Sequence, residues 1–527
     1  MGYKYVIKNV KIYDGTGEKP YVSDVLINGE KIEKIGKDLT ALEIIDGTNL
    51  CLSPGFIDVH THSDTQMFKD PDRAFKLKMG VTSEVSGQCG WSRAPFVSDM
   101  PESVRAYYES VNGSRALVPQ FEKFTDYINA VEEEGVGAHQ KSFTGHCMLR
   151  GSTVGMENRP MKAKELDRAC SLMEETMQEG SMGLSTGLVY APSIYGTTDE
   201  VIALAKVAAK YGGIYTTHMR NEADFVEEAV DEAINIAKSA DIPLNISHLK
   251  AMFPQNYDKA YKILDKIDKA NAEGLDITFD VYPYDACSAN ILSTLPPSYN
   301  SHNVDWLCEH LTGKENVDIL KKAFFEPTEK WENPVKNIGL GKMLIVRAEK
   351  TPDAIGKTFE EYANEKGIDP VEAYAYVIAE NRGGVHDIRF SMSDEIIGDL
   401  YKHPKCMLGT DGLYSAGQTL SHPRHFGSFP RYLGRFIREK KILPFEEGIR
   451  RITSMSAERY GFKNKGYIKE GYDADMVLFD ENTILDHSDY LDPFAKNDGI
   501  KAVFVMGRIA VYDNAYTNLR NGKFYKR

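Results

Sequence analysis

From Tyr3 to Leu39 the chain alternates apolar and polar positions with the period of two that half-buried strands require. YVIKNVKIY and VSDVLINGEKIEKIG carry this pattern, and the Asn28-Gly29 pair inside the second run predicts a two-residue hairpin turn. The same texture returns near the other end. It appears in GYDADMVLFD around Asp475 and in GIKAVFVMGRIAVYD, where Met506-Gly507 separates two runs rich in β-branched residues. Two small isolated sheets would each lack a core, so residues 1–54 and 464–527 are expected to build one β-sandwich domain shared by both termini.

Between these ends, short apolar runs alternate with helical periodicity, as βα units around a parallel sheet buried on both faces do. Eight strands are predicted, near Val59, Glu84, Thr144, Leu184, Thr216, Ser247, Asp280 and Leu408. Between the fifth and sixth, Phe225, Val226, Ala229, Val230, Ile234 and Ala237 share one face of a crossover helix with acids outside. The pattern predicts an α/β fold, a (β/α)8 TIM barrel, with strands one to seven in 55–287 and the eighth with its helices in 404–463. The stretch 288–403 is too long for one βα connection and contains the Pro-rich STLPPSYNSH and Asn333-Pro334. It is expected to be an inserted small subdomain or lid at the C-terminal face of the barrel, plus connecting helices.

Bulk chemistry narrows the function classes. Of 527 residues, 42% are hydrophobic and 27% charged, near globular averages, which sets aside disordered and low-complexity classes. With 77 acidic against 63 basic side chains the net charge is -14, the wrong sign for holding a phosphate backbone, so nucleic acid is not an expected partner. No segment approaches the ~18 apolar residues that span a bilayer. The start lacks a signal-peptide pattern, and Val6 stands where an N-myristoylation signal needs Ser or Thr, so no membrane partner is expected. The 7 cysteines are scattered and never form a CxxC pair, which argues against a disulfide framework and fits a reducing cytoplasm. A small molecule is the expected partner; the oligomeric state is left open.

In Asp58-Val59-His60-Thr61-His62 the two histidines stand two apart, so at a strand end they project to the same side and can reach one cation. Alone, such a pair is more often two polar residues at a strand end. Cys89 in SGQCGW, His218 in YTTHMRNE, His248 in NISHLK and Asp411 in LGTDG also fall at C-terminal strand ends, where barrel active sites lie, and that shared position favours a metal centre. The alternative for Cys89 is an inert core thiol, although the flanking Gly87 and Gly90 favour an exposed loop; for Asp411 it is a buried structural aspartate. Arg220 and Glu222 in HMRNE, and His146 and Arg150 in GHCMLR, also follow barrel strands, where internal ion pairs explain them about as well. His422, Arg424 and His425 read as structural.

HxH after the first predicted strand, single histidines after the fifth and sixth, and Asp after the eighth resemble the amidohydrolase superfamily of metal-dependent barrel hydrolases, as do the GFIDxHxH opening and the closing GxIxxGYDADMVLFD. More narrowly, GQCGWSRAP, STGLVYAP, THMRNE, ISHLK, DVYPY and GTDGLYSAG…HPRHFGSFPR, in this order, are similar to its N-acyl-D-amino-acid deacylase (D-aminoacylase) branch over essentially the whole chain. Many members bridge two metals with a carboxylated lysine after the fourth strand. GSMGLSTGLVY contains no lysine, which counts against a cyclic-amide hydrolase such as a hydantoinase or dihydroorotase. In the deacylase branch a cysteine after the second strand takes the bridging role, and Cys89 stands there.

The resemblance implies Zn2+-dependent cleavage of N-acyl-D-amino acids to a carboxylate and a free D-amino acid. It places a tight site on Cys89, His218 and His248, and a second, weaker or empty one on His60, His62, Cys89 and Asp411. Two imidazoles and a thiolate form a reasonable zinc set with an open position for water, and Asp411 is the expected general base and then acid. Family motifs carry recognition of the substrate carboxylate onto Lys250, Tyr190, Tyr282 and Ser288; for Lys250 the alternative is a solvated surface lysine. Arg389 in DIRFSMSDE stands where relatives of broad specificity tend to be uncharged. It either binds an acidic side chain, as an N-acyl-D-glutamate- or aspartate-selective enzyme requires, or pairs with Asp387 or Asp394. Pairing is favoured, and Met392 keeps the apolar character, so a hydrophobic or neutral D-amino acid is the first expectation. The remaining alternative is a non-catalytic scaffold, but such relatives usually lose ligands and none is missing here.

Overall fold

Strands from both ends of the chain enter one nine-stranded sheet. The computed structural model describes residues 4–72, 74–112, 120–413 and 420–527; the Tyr414–Gly417 part of the GTDGLYSAG motif lies outside them. Met476–Phe479 pairs antiparallel with Cys51–Pro54, setting Leu478 opposite Leu52. That seam joins Ile500–Val505 and Arg508–Tyr512 to the N-terminal Lys4–Ile12, Tyr21–Asn28 and Lys31–Gly36. Alternation along these strands buries Ile7, Val25, Ile27, Leu52, Met476, Leu478 and Phe504 in one cluster. The hairpin of Tyr21–Asn28 with Lys31–Gly36 turns one residue later than the Asn-Gly signal predicts. Asn28 still pairs with Lys31, so Gly29 and Glu30 form the loop, and Gly29 supplies the positive φ of 59°.

The middle of the chain is mixed α/β. One parallel sheet contains Phe56–Asp58, Val81–Ser86 and His139–Ser142; a second runs Thr144–Gly145, Gly183–Gly187, Ile214–His218, Leu244–Ile246, Ile277–Val281 and Cys406–Leu408, in that spatial order. The two are continuous through Phe143. Their other edges meet at a parallel bridge between Thr61 and Gly412, where the Asp411 N–H donates to His60 O at 2.8 Å. The strand positions follow the eight predicted runs, with Val59 and Ser247 one residue past their strands. The helix Val226–Ala240 buries Val226, Ala229, Val230 and Ala237 as predicted, and also Ala233 and Ile236; Phe225 precedes it and Ile234 is half-buried.

Residues 288–403 hold most of a three-stranded antiparallel sheet, Cys287–Asn290, Val385–Arg389 and Met343–Ala348, with helices Val304–His310, Lys314–Phe325, Phe359–Lys366 and Pro370–Glu380. Its apolar cluster, including Leu292, Leu320, Phe324 and Tyr374, continues into Cys89, Trp91 and Tyr108. The segment therefore packs directly on the loop that carries Cys89. Where the terminal sheet meets the third parallel strand, buried Lys465 contacts Asp475, Asp473 (3.1 Å) and His139 (3.1 Å). Among the described residues no helix is long and apolar enough to cross a membrane, and all seven cysteines are free.

Candidate metal centre

The strand ends deliver their polar side chains to one place. Cys89 Sγ lies 3.3 Å from His60 Nε2, 3.5 Å from His248 Nε2 and 3.9 Å from His218 Nδ1. Asp411 Oδ1 is 3.2 Å from His62 Nε2 and 3.5 Å from His60 Nε2. These six side chains make two overlapping sets that share Cys89, one with His218 and His248 and one with His60, His62 and Asp411. All but His62 are buried. Three of them, Cys89, His248 and Asp411, have positive φ (53°, 36° and 48°), an unfavourable backbone that surrounding structure must hold in place. For Cys89 the hold is visible in its flanks. A Cβ on Gly87 would lie 2.4 Å from Phe143 O, and one on Gly90 would lie 2.9 Å from both Cys147 Sγ and Gly187 N.

The donor chemistry fits a zinc-type cation. Burial and the Asp411 and Glu222 carboxylates push the Cys89 thiol well up, so a thiolate there requires a positive partner. Burial pushes His218 and His248 well down and keeps them as neutral imidazoles with free lone pairs. At His60, burial is outweighed by Asp280, whose Oδ1 lies 3.4 Å from Nδ1, and the ring is held above its usual range. Burial would likewise raise Asp411, but Arg424 Nη1, 2.8 Å from Oδ2, holds its carboxyl well below the ordinary range.

A second layer orients these groups. Glu222 Oε1 lies 2.9 Å from His248 Nδ1 and is placed to accept from it in the tautomer that leaves the Nε2 lone pair toward Cys89. The same carboxylate receives Lys250 Nζ at 2.8 and 2.9 Å and stands 3.5 Å from His218 Nε2. Asp280 accepts the His248 N–H at 2.9 Å and Asn245 Nδ2–H at 2.7 Å, tying the sixth and seventh strands together beneath the site.

Beside Asp411 and Tyr190 the site opens into two lobes. One is lined by Lys250, Tyr282, Ser288, Glu332, Arg389 and Met252. The other is bounded by His62, Cys89, Trp91, Leu413 and Arg424. The buried Tyr282 hydroxyl has no hydrogen-bond partner among the described residues and is available to a ligand. Tyr190 Oη lies 3.5 Å from His218 Nδ1. Lys250 is 5% exposed, so it is not a solvated surface lysine. Arg389 forks onto Asp387 through Nε (2.9 Å) and Nη2 (2.8 Å), while Nη2 also donates to Ser293 Oγ.

Several weighed residues resolve differently. Arg424, read from sequence as structural, reaches Asp411 and donates Nη2–H to Ser288 O at 3.0 Å. Glu222 belongs to the site, whereas Arg220 pairs outside it with Glu232 and Arg150 with Glu200. His146 lies against Ser193 (2.8 Å), and His422 donates to Ala286 O (2.9 Å). Sequence reasoning missed Asp280 as a tie between ligands and also missed Glu332. The latter accepts the Glu222 N–H at 2.8 Å, and burial with the nearby Glu222 charge pushes its carboxyl up to about 7.

A model of the Amidohydrolase family matches residues 43–511. The chain is 30% identical to the N-acyl-D-glutamate deacylase of Alcaligenes xylosoxydans xylosoxydans, over 99% of this chain and 96% of that protein. It is 28% identical to the D-aminoacylase of the same organism, over 98% and 96%. Among solved structures, the N-acyl-D-glutamate deacylase from Bordetella bronchiseptica, complexed with zinc and a phosphonate mimic of the tetrahedral intermediate, matches with a TM-score of 0.85 at 27% identity over 100% of both chains.

Proposed function

The chain belongs to the amidohydrolase family, and from that premise we propose that it hydrolyses the amide bond of N-acyl-D-amino acids, releasing a carboxylate and the free D-amino acid. The observation that carries this reading is the convergence of Cys89, His218, His248, His60, His62 and Asp411 beside a cavity holding Lys250 and a Tyr282 hydroxyl unpartnered among the described residues. We read the two parallel sheets as one (β/α)8 barrel (55–287 and 404–463), the terminal segments 1–54 and 464–527 as its β-sandwich, and 288–403 as an inserted lid.

Cys89, His218 and His248 would hold a tight zinc ion, and His60, His62, Cys89 and Asp411 a second, weaker one. When bound, zinc supplies Lewis acidity toward the acyl carbonyl and lowers the pKa of water to ~7. Asp411, kept ionised by Arg424, accepts the proton of the attacking water and then delivers it to the leaving nitrogen. Lys250, Tyr282 and Ser288 receive the substrate α-carboxylate, and Tyr190 closes the space between the lobes. Charge pairing of Arg389 with Asp387 removes the main reason to expect an acidic side chain.

The test is one assay pair on purified protein, N-acetyl-D-methionine against its L enantiomer, with metal content measured on the same sample. D-selective release with zinc bound is expected. Release of the L amino acid only, or full activity in chelator, overturns the reading.

A further inference from the structure

One acid on the cavity wall belongs to neither of the two metal sets assigned above and takes no part in the proposed carboxylate recognition, although its carboxylate stands within 4.8 Å of His218 and Glu222. Glu332 comes from the inserted segment, is 6% exposed and lines the lobe that holds Lys250 and Tyr282. Its Oε1 accepts the Glu222 N–H, while no described residue donates to Oε2. Asn337 Nδ2–H donates to the Glu332 carbonyl at 3.2 Å, and the flanking side chains are held too: Trp331 Nε1–H donates to Thr294 O at 3.2 Å, and Asn333 Nδ2–H to Phe324 O at 2.8 Å. The carboxylate is thus held in the cavity by fixed neighbours rather than swinging in from solvent.

The other charges on this lobe are matched. Lys250 faces Glu222, Arg389 faces Asp387, and Asp411 faces Arg424. Among the described residues lining the lobe, Glu332 alone has no opposite charge in ion-pair contact. Met252 and Cys287 lie on the same wall and offer apolar surface to an aliphatic stem. A buried carboxylate without a cation is costly, and a ligand that brings the cation recovers that cost, whereas an acidic side chain adds a like charge.

We propose that Glu332 sets the side-chain preference of the enzyme, selecting N-acyl-D-amino acids whose aliphatic side chain ends in a cation, such as Nα-acetyl-D-lysine or Nα-acetyl-D-ornithine. The proposal rests on the deacylase reading and replaces the neutral or hydrophobic preference suggested by Met392. Glu332 is a specificity residue here, with no part in the proton transfer assigned to Asp411.

The experiment compares kcat/KM for Nα-acetyl-D-lysine, N-acetyl-D-norleucine and N-acetyl-D-glutamate in the zinc-loaded protein and in Glu332→Gln and Glu332→Asp. The wild type is expected to favour D-lysine over its uncharged near-isostere D-norleucine by about tenfold or more, a charge-assisted hydrogen bond's worth. That lysine-to-norleucine ratio should collapse in Glu332→Gln, mainly through KM, and partly return in Glu332→Asp. The wild-type ratio tests the proposal even if a variant fails to fold. Turnover of D-norleucine or D-glutamate in preference to D-lysine, or a ratio unchanged in Glu332→Gln, overturns this inference and leaves the deacylase reading standing. Absence of turnover with every N-acyl-D-amino acid overturns both.

Discussion

Glu222→Gln isolates the layer that orients the metal centre. The change is nearly isosteric and leaves the backbone N–H bond to Glu332 in place. In the native site one carboxylate meets His248 Nδ1 at 2.9 Å and Lys250 Nζ at 2.8 Å, and Lys250 Nζ is itself 2.8 Å from His248 Nδ1. A glutamine can present its oxygen to one of these groups but then turns an N–H toward the other. If it serves Lys250, the His248 ring loses the acceptor that fixes its tautomer; if it serves His248, an ammonium faces an amide. Loss of such an outer partner weakens metal affinity by about 10–100-fold, or roughly 1.4–2.8 kcal/mol. Both charged side chains are nearly inaccessible, 3% exposed for Glu222 and 6% for Lys250, so solvent does little to rescue the broken pair. Destabilisation of the metal-free fold by about 3–5 kcal/mol is expected in addition. Chelator competition gives the zinc dissociation constant, and thermal unfolding of the metal-free protein gives the second number. A variant with wild-type zinc affinity and a wild-type midpoint would refute the assigned role of Glu222.

Asp411→Asn should keep its zinc and lose about 10²–10⁴-fold in kcat, whereas His248→Ala should lose both metal and turnover; a near-wild-type rate in Asp411→Asn would place the proton shuttle elsewhere. Gly90→Ala introduces a Cβ 2.9 Å from Gly187 N at φ +80°, so it should lower both thermal midpoint and zinc content, and a variant matching wild type in both would contradict the tight turn around Cys89. Stability should also fall in acid at the seam of the terminal sheet. Although burial opposes it, Lys465 and His139 hold the Asp475 carboxyl below its ordinary range, so its contribution is present above the unfolded value of about 4 and lost as pH drops through the lower folded one. His139, held down by burial and Lys465, adds a loss beginning below about pH 6.5. Lys465→Met should cost about 3–5 kcal/mol at neutral pH and flatten both acid steps in urea unfolding; curves running parallel to wild type would exclude this coupling.

The cluster of candidate ligands was legible because each member sits at a recurring local landmark, the end of an apolar run, and parallel strands joined by crossover helices all end on one side. Period-two geometry puts His60 and His62 on one side without any knowledge of the fold. What sequence could not supply are contacts closed by distant loops. Arg424 follows the eighth strand in HPRH and reads as structural; only in the assembled site, where the parallel Thr61–Gly412 bridge sets the ends of the first and eighth strands side by side, do Asp411 and Arg424 meet. Asp280 lies inside the buried run ITFDV, and nothing local says that its carboxylate accepts from His248 and Asn245 on the neighbouring strand. Glu332 is 110 residues from the Glu222 N–H it accepts, in a segment whose sequence argued only for an insertion. The backbone geometry was equally hidden. Gly29 announced its positive φ by being glycine, but Cys89, His248 and Asp411 adopt theirs as ordinary L-residues, which costs energy that only the assembled site can return. Positive φ does not by itself mark the centre, because Asp241, Lys441, Met506 and Asp513 adopt it outside the site; what sets these three apart is that their side chains converge on one point.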